Sequence, residues 1–417
     1  MSTIYAFTTP ARGHLYPLVP ILTELAGRGH RVKVWTLDAE LDRLSGLGVK
    51  AAAISPEIEE LPLEDWEARS AAQAVKKTFS RWLERAPHEI ADLERAVAEE
   101  RPDLILTDIN GWGASAAAEA SGVSWATFAP YITPLPDPRV PAFGPGMPPA
   151  AGPLGRLRDA AMSRLLGGML DRGFLETLNE MRGRAGAGPL TTVTEVWTRP
   201  PKLLYLTVPE LEYERESWPE SFRFIGPVNW QPDVESPAWL ADVDRPLILL
   251  TASTEYQADD ELIRTGLEAL ADEDVFVVAT TAGNDPAQFD APANARVERF
   301  VPHGPILERA EAVICHGGMG ITQKALAAGV PVCTVGWGRD QLESGRRVEH
   351  AGAGVLLPRK KLSSERLRES LALARSRRAG AERIAAAIDR APGATGAVDE
   401  LEALLTPSAR RPAPAAR

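Results

Sequence analysis

Two of the six histidines in this chain stand where a short apolar run breaks at glycine. His14 closes the turn Thr9-Pro10-Ala11-Arg12-Gly13-His14 after Ile4–Thr8, and His316 opens His316-Gly317-Gly318-Met319-Gly320 after Ala312–Cys315. An imidazole near its ordinary pKa can take a proton from an alcohol or phenol as that oxygen attacks. Taken alone, a histidine in a turn is more often structural or exposed than catalytic. The glycines after His316 let backbone approach a ligand closely. A strand-to-helix turn aims unpaired N–H groups and the positive end of the helix dipole at its guest, naturally a phosphate or diphosphate. A bare His-Gly-Gly is about as often an ordinary turn that binds nothing. Asp108, near the end of the apolar run Asp103–Ile109, is either a loop or capping carboxylate or the acid that orients His14 and stabilises its charged form.

The elements that must position these groups follow from hydrophobic pattern. Short apolar runs at Ile4–Thr8, Arg31–Leu37, Val49–Ile54, Asp103–Ile109, Ser124–Ala129, Leu203–Val208 and Phe222–Ile225 read as strands. A second series follows at Leu247–Ala252, Val275–Thr280, Arg296–Phe300, Ala312–Cys315, Val332–Val335 and Gly354–Leu357. Helical patterns lie between them: about Tyr16–Ala26, most of Glu57–Glu100, Gly113–Ala120, Leu154–Arg184, Asp259–Ala271 and the stretch after Ser363. The alternation predicts an α/β fold of two Rossmann-like, doubly wound domains facing one cleft. The expected boundaries are 1–225 for the first domain, 226–245 for a proline-rich linker, 246–406 for the second domain and 407–417 for a disordered tail. Pro130–Pro153, rich in proline and glycine, reads as an irregular surface loop long enough to be functional. In such sheets ligands bind beyond the C-terminal strand ends, where His14, Asp108, Thr251–Thr254 and His316 all fall.

Composition narrows the partners. With 417 residues, two cores are expected, since single cores rarely grow past about 250–300 residues. A net charge of −11 argues against nucleic acid or an anionic membrane as the main partner. No run approaches the ~20 apolar residues of a membrane span. The N-terminus enters a strand without a signal-peptide pattern, so a cytoplasmic location is expected. Cys315 and Cys333 fall in predicted core strands and read as buried reduced thiols. Two triplets have the spacing of a metal-binding Asp-x-Asp, Asp242-Val243-Asp244 and Asp272-Glu273-Asp274; one is in the linker and the other ends a helix, so both read as solvated charge.

Taken as a longer pattern, His316–Gln341 (HGGMGITQKALAAGVPVCTVGWGRDQ) closely resembles the donor-binding signature of the family 1 nucleotide-sugar glycosyltransferases. That signature runs HGGxGTxxEAL and then AGVPxxxxPxxxDQ, and the likeness is above all to bacterial enzymes that decorate antibiotics and other natural products. Their N-terminal G-H-x-x-P matches Gly13-His14-Leu15-Tyr16-Pro17. The resemblance implies the GT-B fold and an inverting transfer from a dTDP- or UDP-sugar to a largely apolar small-molecule aglycone. His14 would be the general base with Asp108 behind it, and no metal or other cofactor would be needed. It further implies that the diphosphate meets His316 and the Gly317, Gly318, Met319 and Gly320 amides. Ser253, Thr254 and Thr322 correspond to phosphate-side hydroxyls, Phe300 with the Val301 backbone to the base platform, and Asp340 and Gln341 to the pair that binds the donor sugar's hydroxyls.

Two positions depart from the pattern. His303 stands where glutamine is common, and Lys324 where a glutamate accepts hydrogen bonds from the ribose; lysine has no acceptor. Lys324 therefore points to a phosphate contact or to a deoxyribose donor. A nucleotide-sugar epimerase of the same architecture and a catalytically silent partner of a transferase are the alternatives. The oligomeric state stays open, a homodimer included.

Overall fold

The computed structural model describes residues 1–150, 152–231 and 235–405. The proposed tail at 407–417 and residues 232–234 of the proposed linker lie outside the described residues. The first sheet holds β1 (Thr3–Phe7), β2 (Arg31–Thr36), β3 (Lys50–Ala53), β4 (Leu104–Asp108), β5 (Ser124–Ala129), β6 (Leu203–Tyr205) and β7 (Phe222–Phe224), in the order β3-β2-β1-β4-β5-β6-β7. The second holds β8 (Leu247–Thr251), β9 (Phe276–Thr280), β10 (Ala295–Glu298), β11 (Ala310–Cys315), β12 (Val332–Thr334) and β13 (Gly354–Leu356), in the order β10-β9-β8-β11-β12-β13. Among the described residues every strand pairing is parallel. Helices cover both faces, so the central strands are apolar throughout rather than alternating: β1, β4 and β8 are buried at every position. Strand order reverses between β1 and β4 and between β8 and β11, the crevices where such sheets take ligands. Cys315 and Cys333 are free and buried in adjacent strands.

Four expectations need correction. The first helix runs Arg12–Gly27, so His14 sits in its first turn rather than on a loop. Pro17 and Pro20 consequently lie inside the helix, where each removes a backbone donor. The long helix of the first domain begins only at Ala71, where the Ser70 hydroxyl accepts from the Gln73 N–H as a cap; residues 60–70 form a loop segment with one 3-10 turn, Asp65–Glu67, instead. The stretch after β5 is not a free surface loop. Ile132, Leu135, Val140 and Ala142 are buried, and the N–H groups of Gly144 and Gly146 donate to Glu343 in the second domain at 2.8 and 2.9 Å. Fourth, the last helix, Gly393–Leu405, returns to the first domain. Its stripe of Ala397, Val398 and Leu401 joins the core made by Leu18, Ile21, Leu22 and Leu25, and Arg28 pairs with Asp399 at 2.6 Å. The helix Arg12–Gly27 leaves an apolar flank that this stripe covers, so the two domains are joined twice.

Candidate active site

A cavity of about 2840 Å³ runs between the C-terminal edges of the two sheets. On the first-domain side, His14 Nδ1 lies 2.9 Å from both carboxylate oxygens of Asp108. Asp108 is the last residue of β4 and fully buried, while the His14 side chain keeps 16% of its surface exposed toward the cavity. The carboxylate is itself held by the Thr9 N–H at 3.2 Å and the Asn110 N–H at 2.9 Å. Asn110 Nδ2 stands 3.4 Å from His14 Nε2, and its Oδ1 accepts from the Tyr131 hydroxyl at 2.8 Å, which fixes the amide with its donor toward the ring. Burial works against the imidazolium and so does the helix N-terminus beneath it. The Asp108 charge and hydrogen bond outweigh burial, with Glu255 and Asp340 helping, and the His14 pKa rises above its ordinary 6.5. Asp108 thus holds His14 Nδ1 and, through two backbone N–H groups, the turns after β1 and β4. What this arrangement can do is accept a proton at Nε2 and stabilise the cation that results.

Across the cavity, β11 turns at Gly317 into the helix Met319–Ala327, with Gly318 at its N-cap. Gly317 has φ 95°, and a Cβ there would lie 2.5 Å from Thr334 Cγ2 and 2.9 Å from the Gln341 carbonyl oxygen. A Cβ on Gly318 would lie 2.3 Å from His316 Nε2. Only glycine lets the turn fold under the imidazole and present first-turn N–H groups, which have no intrahelical acceptor, to the cavity. Burial holds His316 below its ordinary pKa, so its ring is neutral at neutral pH. Phe300, 56% exposed, lines the cavity just past β10, with Val301 beside it. Asp340 also lines it, and burial raises its carboxyl pKa to about 6.

Three of the expected residues turn inward or bond within the protein, although Ser253 and Gln341 still line the cavity. Thr322 is 1% exposed and packs inward, while Ile321 and Lys324 line the cavity; the helix turns residues 322 and 325 toward β11. The Ser253 N–H and hydroxyl both bond the Asp259 carboxylate, which leaves Thr254 as the cavity-facing hydroxyl of that loop. Gln341 accepts from the Trp337 and Gly338 N–H groups at 2.7 and 3.1 Å and donates to Gln257 at 2.6 Å, so its amide holds the loop that presents Asp340. Neither Asp242–Asp244 nor Asp272–Asp274 lines the cavity. Sequence reasoning missed Asn110, Tyr131, Glu255 and Arg339. Each lies within a few residues of a strand's C-terminal end, the one signal that could have marked them.

Comparison with known proteins supplies the family. A model of the C-terminal domain of erythromycin biosynthesis protein CIII-like proteins matches residues 264–404. The chain is 31% identical over 378 residues to 4'-demethylrebeccamycin synthase of Lentzea aerocolonigenes, covering 87% of this chain and 89% of that protein. It is 33% identical over 287 residues to a PGL/p-HBAD biosynthesis glycosyltransferase of Mycobacterium tuberculosis, covering 66% and 64%. Among solved structures, the calicheamicin glycosyltransferase CalG4 superposes with a TM-score of 0.76 at 22% identity over 97% of this chain and 98% of that one. Spinosyn rhamnosyltransferase SpnG, complexed with spinosyn aglycone, gives 0.73 at 20% identity over 96% and 100%. Two facing Rossmann-like domains of this shape are the GT-B fold, and the enzyme is a glycosyltransferase. The chain belongs to the bacterial antibiotic glycosyltransferases of the family 1 nucleotide-sugar-dependent type.

Proposed function

We propose that this enzyme moves a sugar, with inversion and without a metal ion, from a dTDP- or UDP-sugar to a hydroxyl of a largely apolar secondary metabolite. One observation carries the reading: a carboxylate-backed imidazole and a glycine-lined helix N-terminus open onto the same cavity. The acceptor hydroxyl gives its proton to His14 Nε2 and its oxygen attacks the anomeric carbon from the face opposite the diphosphate. The bond from that carbon to the phosphate oxygen breaks, and the nucleoside diphosphate leaves toward the Met319 and Gly320 amides and His316. Asp340 takes the donor sugar's hydroxyls and Phe300 the base. Trp82, Phe174 and Tyr131 on the first-domain wall suit an apolar, ring-containing acceptor.

Lys324 favours the deoxyribose donor. It lines the cavity beside His303, whose imidazole is pushed down to about 4 by burial and by the Lys324 charge. An ammonium cannot accept from a ribose diol, so a sugar ring with one hydroxyl fewer leaves less unsatisfied. The test is nucleoside-diphosphate release from paired dTDP- and UDP-sugars with a mixture of apolar hydroxylated acceptors, in the presence of EDTA. Acceptor-dependent release that survives EDTA and prefers the dTDP donor is expected. Lys324→Glu should shift that preference toward UDP by about tenfold or more. Loss of activity in EDTA, or a strong wild-type preference for UDP donors, would overturn the corresponding part of the reading.

A further inference from the structure

Among the described residues, three that are not glycine have left-handed backbone: Ala258 (φ 53°), Ala282 (φ 45°) and Arg339 (φ 54°). They sit in the loops after β8, β9 and β12, all on the cavity edge of the second sheet. Such conformations are costly for a residue with a Cβ and persist only where the surroundings hold them. Arg339 is held by its own side chain. Its Nε and Nη2 donate to the Asp65 carboxylate at 3.2 and 3.0 Å, and its Nη1 donates to Glu255 at 3.1 Å. Asp65 opens the 3-10 turn Asp65–Glu67 of the first domain, so this fork reaches across the cleft. Beside it, Trp66 meets Tyr256 edge to face at 5.2 Å, a second bridge between the same segment and the loop after β8. Both rings remain well exposed, at 41% and 48%, as expected at a rim rather than a core.

We propose that Asp65 and Trp66 clasp Arg339 and Tyr256 across the cleft, and that Arg339, braced by Glu255 of its own domain, is thereby a positioning residue for its neighbour Asp340. Gripping Asp65 holds the strained loop that presents the Asp340 carboxylate, so closure of the two domains and recognition of the transferred sugar are one event. Release of Asp65 opens the mouth for donor and acceptor and lets the loop relax. This rests on the reading of Asp340 as the group that binds the donor sugar.

The test uses the full-length enzyme with Asp65→Asn, Arg339→Ala, their combination and Asp65→Glu. Each of the first two should lower kcat/KM for transfer by about tenfold or more through lost positioning. The preference between two donors differing at one sugar hydroxyl should fall toward unity, while affinity for the nucleoside diphosphate alone stays within about twofold. The double variant should be no worse than the worse single, since the two groups form one contact. Asp65→Glu, which keeps the charge, should retain most of the preference. Multiplicative losses in the double variant, or lower turnover with the sugar preference intact, would overturn the clasp. Asp340→Asn measured alongside separates the two ideas: if it leaves the preference unchanged, the sugar reading fails. The clasp is then judged by small-angle scattering, where Asp65→Asn and Arg339→Ala should each enlarge the ligand-free enzyme; unchanged dimensions would sink it.

Discussion

Replacing His14 with alanine is expected to lower kcat by about 10²–10⁴-fold, the usual contribution of a general base, with nucleoside-diphosphate affinity nearly unchanged. The separation follows from geometry. His14 stands on the first-domain wall with Asp108 behind it, whereas the diphosphate elements, Gly318 to Gly320 and His316, belong to the second domain. The wild-type pH profile should show an acid limb in kcat/KM. The base must be neutral to accept a proton, and its pKa is raised, so activity should climb through a value above 6.5. Asp108→Asn should move that inflection down, because burial, the largest influence on the ring, then acts without the carboxylate that opposes it. It should also lower kcat, since the imidazolium loses its counter-charge. Stopped assays across pH and calorimetric binding of the diphosphate measure both effects. Unchanged turnover in His14→Ala would remove the residue from its role.

Arg347→Met is expected to destabilise the protein by about 3–5 kcal/mol, the range seen when one partner of a buried ion network is removed. Arg347 Nε donates to Glu212 at 2.8 Å and Nη1 to Glu343 at 2.9 Å. The three side chains are 2%, 1% and 1% exposed. Glu212 also accepts from the Tyr205 hydroxyl, Glu343 from the Gly144 and Gly146 N–H groups, and the guanidinium lies 4.3 Å from the centre of the Tyr213 ring. The network spans both domains: Glu212 follows β6, and Arg347 lies on the helix Gln341–His350 that opens at the Asp340 loop. Methionine keeps the volume but leaves two carboxylates facing each other out of water. Denaturant unfolding of both proteins, with each domain's transition followed separately, is the measurement. A loss below about 1 kcal/mol would place this network with the weak surface pairs.

Properties written in consecutive residues could be read without coordinates. Strands such as β5 and β8 are buried on both faces, so an apolar run bounded by glycine or proline marks them within a residue or two. The turns after β1 and β11 carry their histidines and glycines at short spacing, and a parallel sheet puts every such turn on one edge. That is why His14, Asp108 and His316 could be assigned to one cleft from sequence. Side-chain direction was a different matter. Whether Thr322 faces the cavity or β11 depends on how the helix Met319–Ala327 is rotated against the sheet, and whether the Ser253 hydroxyl is free depends on Asp259 six residues on folding back to it. The return of Gly393–Leu405 to the first domain, the pinning of Gly144 and Gly146 by Glu343, and the grip of Arg339 on Asp65, 274 residues away, are pairings between distant segments. No local pattern encodes them, because burial and charge pairing choose among partners only after the elements have packed.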